Sequence, residues 1–149
     1  MKDVLVIMGS KSDKPILESC IETLNKFGLT YDEEVASAHR NPEKVLGIAK
    51  NAINNYLVII AAAGKAAHLP GVIAGHTILP VIGVPIKTSD LGGLDSLYSI
   101  VQMPTGVPVA SVAINGSTNA AILAAQIIAL KNEKVKQKLL DYKEELKQG

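Results

Sequence analysis

The chain has no tryptophan, one phenylalanine, one cysteine and a single arginine among its 149 residues. Each shortage excludes something. A lone Cys20 cannot form a disulfide within the chain, so stability must come from packing, as suits a reducing compartment. Cys20 stands with Ile16, Leu17, Ile21 and Leu24 at helical spacing, which predicts a small core residue. Few aromatics, and no basic cluster before the tail, argue against a nucleic-acid surface. The formal net charge is +1, with six lysines and four acids in residues 131–149 and nine cations against ten acids in the rest. With 48% apolar residues, disorder is excluded, and the length suits one domain with a real core.

Charge is missing altogether from residues 66–86 and 96–130. Runs of that length raise the question of a membrane span. Pro70, Gly71, Gly75, Pro80, Gly83 and Pro85 break the first run, and Pro104, Gly106, Pro108, Asn115 and Gly116 break the second. Neither leaves a continuous apolar helix able to cross a bilayer. The apolar run after the N-terminus is also too short for a signal peptide, so the expected location is the cytoplasm.

What remains alternates between strand and helix. VLVIM (residues 4–8) reads as a strand buried on both faces. A helix follows, with Ser12 and Asp13 as N-cap candidates, Pro15 in its first turn and Gly28 as its stop. Residues 30–36 predict a second strand, and Asn41 with Pro42 opens a helix to about residue 54. Strands are expected at 56–61, around LPVIGVP (79–85) and at 107–114. Helices are expected over 67–75, GLDSLYSIV (93–101) and 119–130, with 1–130 forming a single α/β domain and 131–149 an amphipathic C-terminal helix of the same domain. This order implies a parallel sheet covered by helices on both faces. NAAILAAQIIAL (119–130) is apolar around its circumference, which points to a subunit contact.

In such a sheet, ligands bind beyond the carboxyl ends of the strands, where three loops fall. GSKSD (9–13) offers Ser10, Ser12 and Asp13 at a helix start, where small residues and backbone N–H groups favour an anion. Taken alone it is an ordinary capped turn, because it lacks the spacing of a P-loop. SAHRNP (37–42) sets the only arginine, Arg40, beside Ser37 and His39. A guanidinium fork fits phosphate oxygens, and imidazole moves protons near neutral pH. The third loop, AAAGKAAHLPG (61–71), has Lys65 and His68 as its polar side chains, and its small residues leave room for a flat ring. No metal-ligand spacing is present, and His76 receives no role.

Together MGSKSD, SAHRNPE, AAHLPG, LPVIGVP, GLDSLYSIVQMPTGVPVASVAI and NAAILAAQI resemble the 5-(carboxyamino)imidazole ribonucleotide mutase family from about Val4 to Leu130. The resemblance implies a flavodoxin-like α/β three-layer sandwich assembled as a homo-octamer. It also implies transfer of a carboxylate from the exocyclic nitrogen to the adjacent ring carbon of a purine precursor, without metal or organic cofactor. His39 would be the general acid and base. Ser10, Ser37 and Arg40 would hold phosphate and Asp13 the ribose, with Ser12 also among the substrate-binding residues. Ala63, Gly64, His68 and Leu69 would line the pocket that confines CO2, and Lys65, also among the substrate-binding residues, would either grip the migrating carboxylate or point outward. Related enzymes that carboxylate aminoimidazole ribonucleotide directly are described as lacking the HLPG stretch, so Ala67–Gly71 favours the mutase. A non-catalytic nucleotide sensor is the reading from another class, since Ala62 and Lys65 stand where many relatives have glycine. If those glycines require positive φ, the replacements carry strain.

Overall fold

The computed structural model describes residues 1–149. Five parallel strands form one sheet in the order β2-β1-β3-β4-β5: β1 Val4–Met8, β2 Tyr31–Val35, β3 Val58–Ala63, β4 Val81–Pro85 and β5 Ala110–Ser111. The helices are α1 Lys14–Lys26, α2 Pro42–Ala52, α3 Leu69–Ala74, α4 Leu94–Val101, α5 Ser117–Ala129 and α6 Glu133–Lys147. This is the parallel sheet expected from the alternation, in the flavodoxin-like arrangement that the resemblance implies. No helix is long and apolar enough to cross a membrane.

Period-two alternation divides the core. Val4, Val6 and Met8 join Val58, Ile60 and Val84 on the face covered by α1, α5 and α6. Leu5 and Ile7 join Ile59 and Ala61 on the opposite face, with Val45 and Ala49 of α2, Ile73 of α3 and Ile100 of α4. Both faces of β1 and β3 are therefore dry, which is why their sequences lack polar positions. Cys20 lies in the first of these cores, and burial, reinforced by Glu33, pushes its thiol up to about 12. It is the inert core residue expected. Edge strand β2 instead carries Asp32, Glu33 and Glu34, each facing a lysine: Lys2, Lys14 and Lys44. Charge on an open edge discourages pairing with another chain.

Three expectations are adjusted. β5 spans two residues where 107–114 were expected, because Pro108 has no N–H to give and the strand has a neighbour on one side only. Asn41 caps α2 as predicted, its side chain accepting from Lys44 N at 3.3 Å, but the helix ends at Ala52. Helix α5 finds most of its burial within the chain. Ala120, Ala121, Ala124 and Ala125 pack into the core formed with the sheet, α1 and α6, because small side chains let the elements approach closely. A second apolar stripe lies on α4, where Leu94, Tyr98 and Val101 are exposed at helical spacing.

One glycine sets how closely that face packs. A Cβ on Gly83 in β4 would lie 2.4 Å from Ile100 Cγ2 and 3.2 Å from Val109 Cγ1. Gly83→Ala is expected to destabilise the protein by about 1–3 kcal/mol through overpacking, measured as a shift in urea midpoint. An unchanged midpoint would show that α4 yields freely.

Candidate active site

β1 lies inside the sheet, and the chain leaves it toward β2 on one side and reaches β3 on the other. Their loops separate at this point and open a crevice beyond the carboxyl ends. A cleft of about 660 Å³ occupies it. Every residue singled out in the sequence lines it: Ser10, Ser12, Asp13, Ser37, His39, Arg40, Ala63, Gly64, Lys65, His68 and Leu69.

The first loop folds differently from the expected cap. Ser10 caps a short 3-10 turn, Lys11–Asp13, by accepting from Ser12 N at 3.3 Å, and its hydroxyl lies 2.9 Å from Ser12 Oγ. Asp13 occupies the cap position of α1 without making a side-chain cap bond. Its carboxylate is thereby left to the cleft, where the Ser10 backbone and the Arg40 charge both act to lower its pKa. Burial outweighs both and holds the Asp13 pKa above the ordinary carboxylate value.

The sign of the stability effect follows. Native Asp13 keeps its proton more tightly than the unfolded chain does. Its contribution is thus lost as pH rises through the unfolded value to the raised folded one, and the ionised group weakens the fold at neutral pH. Asp13→Asn is expected to melt at a higher temperature at pH 7, with the difference closing in acid. A lower melting point at pH 7 would contradict this.

The second loop carries the only arginine to the same corner. Arg40 Nη2 donates to the Gly9 carbonyl at 3.0 Å, and its backbone N–H donates to Ser37 Oγ at 3.2 Å. Guanidinium and serine hydroxyls together make a corner suited to a phosphate monoester. His39 meets His68 across the cleft: Nε2 of His39 lies 2.7 Å from Nδ1 of His68, with the rings near perpendicular. One nitrogen must donate and the other accept, so the two rings are locked into complementary tautomers. The third loop supplies His68 just before α3. Of its two glycine replacements, Lys65 adopts φ +56°, whereas Ala62 sits in ordinary strand geometry paired with Val84. Strain is confined to the lysine.

A fourth wall was not anticipated. Ile86, Lys87, Thr88 and Ser89, following β4, complete the cleft. Ile86 N donates to Ala63 O at 3.0 Å, Ser96 Oγ donates to Ile86 O at 2.7 Å, and Thr88 Oγ1 donates to Asp95 at 2.9 Å. Asn115, at φ +59°, accepts from Lys87 N at 2.9 Å and donates its own N–H to Pro85 O at 2.8 Å. It continues the β4 ladder where β5 has ended. The position of this wall beyond a fourth parallel strand was the available signal.

A family model described as AIRC, AIR carboxylase, matches residues 3–149. The chain belongs to the AIR carboxylase family. Among curated relatives of this family member, the N5-carboxyaminoimidazole ribonucleotide mutase of Thermotoga maritima is 55% identical over 99% of this chain and 86% of that protein. The protein of the same name from Saccharolobus solfataricus is 51% identical, covering 99% and 94%. The crystal structure of Treponema denticola PurE superposes with a TM-score of 0.88 at 31% identity, covering 97% of this chain and 91% of that one. The fold of this AIR carboxylase family member is thus that of a solved relative.

Proposed function

We propose that this protein is an isomerase of purine biosynthesis that interconverts 5-(carboxyamino)imidazole ribonucleotide and 5-amino-1-(5-phosphoribosyl)imidazole-4-carboxylate. The observation that carries the reading is one cleft joining an arginine–serine corner to a hydrogen-bonded histidine pair. The names of relatives sharing half the sequence agree with it.

The phosphate docks against Arg40, Ser10, Ser12 and Ser37, and Asp13 accepts from the ribose hydroxyls. The imidazole then lies toward Ala63, Gly64 and Leu69, whose small or apolar side chains exclude water. His39 gives a proton to the exocyclic nitrogen as its bond to the carboxylate breaks and CO2 forms. The adjacent ring carbon, made electron-rich by the amino group, attacks that CO2. His39 then removes the proton on this carbon. One proton leaves the imidazole and one returns, so the cycle needs no co-reactant. His68 holds His39 in orientation and occupies its Nε2 until substrate enters. The HLPG stretch within Ala67–Gly71 supports migration over direct carboxylation.

A homo-octamer, working in the cytoplasm, is the assembly this reading carries with it. The charge-free stretch 96–130, the exposed stripe of α4 and the short edge strand β5 support a contact between copies. The test of function is direct. Purified protein mixed with 5-(carboxyamino)imidazole ribonucleotide, without ATP, should form the 4-carboxylate well above the spontaneous rate. No acceleration would refute it.

A further inference from the structure

Lys65 combines features that no other cleft residue shares. Its backbone sits at φ +56°, a region that residues bearing a side chain seldom occupy. Its ammonium lies 3.8 Å from the Asp90 carboxylate, so it links the loop after β3 to the loop after β4 across the mouth of the cleft. It also stands three residues before His68, on the loop that carries the partner of His39.

Strain of this kind persists where the surroundings or the function hold it in place. The surroundings contribute little here. Lys65 and Asp90 side chains are 77% and 74% exposed, and a long, solvated pair is weak and easily exchanged for another anion. The remaining cleft cations are placed otherwise. Arg40 is fixed at the Gly9 carbonyl beside the serines, and Lys87 lies on the loop after β4 with its backbone N–H held by Asn115, so Lys65 is the cleft lysine whose ammonium is already paired with a carboxylate. The nucleotides of the proposed reaction carry two anionic groups, a phosphate and a carboxylate. The arginine corner accounts for one of them.

We infer that Lys65 is the residue that distinguishes carboxylated from uncarboxylated nucleotide, by exchanging Asp90 for the carboxylate of the ligand. Asp90 is then a competing anion that sets how strongly the lysine holds it. The inference rests on the functional reading above, and it concerns the ratio of two affinities rather than either affinity alone.

Calorimetric titration of the parent protein, Lys65→Met and Asp90→Asn with 5-aminoimidazole ribonucleotide and with its 4-carboxylate decides the matter. Lys65→Met should bind the 4-carboxylate about tenfold more weakly and the uncarboxylated nucleotide about as before. Asp90→Asn should shift the ratio the other way. Lys65→Gly, which also relieves the backbone, should repeat the Lys65→Met result and separates charge from misfolding. An unchanged ratio in all three variants, or equal weakening of both ligands, overturns the inference. If the parent binds neither nucleotide, the functional reading itself falls, and that outcome is distinct from the first two.

Discussion

His39→Asn is expected to bind nucleotide with near-parent affinity and to turn over roughly 10²- to 10⁴-fold more slowly, the range that a positioned acid–base group supplies. Asparagine keeps a polar group, stops short of the position of Nε2, and cannot take up and release a proton. The hydrogen bond to His68 at 2.7 Å, which holds the ring in the parent, is lost with the imidazole. The phosphate corner, on other side chains, remains intact. Initial rates at saturating substrate, with calorimetry alongside, separate the two quantities. A rate within a few-fold of the parent would remove His39 from the proton path.

The second large effect falls on binding. Arg40→Lys conserves charge but replaces a planar fork with a point charge on a flexible stem. It also loses the bond from Nη2 to the Gly9 carbonyl, which aims the group at the serine corner. With a charge-assisted hydrogen bond contributing about 1.5–3 kcal/mol, KM should rise about 10- to 100-fold while kcat changes much less. Arg40 also lowers the pKa of Asp13 against the effect of burial. A variant whose KM matches the parent would mean that the phosphate docks elsewhere.

Much of the site was legible because it is built from short motifs at strand ends. Gly9 after β1 and the alanine-rich end of β3 follow apolar runs, SAHR follows the charged edge strand β2, and a parallel sheet gathers such loops on one edge. Helix starts were legible where a side chain acts locally, as at Asn41. Features that depend on distant partners were not. Asp13 looks like a cap in sequence, yet Ser10 takes that role and the carboxylate faces the cleft. The wall at 86–89 contains no rare residue to attract notice, and its shape comes from Asp95 and Ser96 at the start of α4 and from Asn115, 28 residues beyond its partner Lys87. The burial of α5 depended on where α1 and α6 lie, which periodicity does not encode. The positive φ of Lys65 was predictable only as a condition, because the sequence records the residue and not the torsion.

The account stands on a carboxylate that never leaves the cleft between its two bonds. Substrate carrying a ¹³C label in its carbamate, converted in buffer rich in unlabelled CO2, tests this most directly. Mass spectrometry of the 4-carboxylate formed in the first turnovers should find the label retained. Product bearing carbon from the buffer, in proportion to its CO2, would show that the group is exchanged with solvent and would contradict the mechanism.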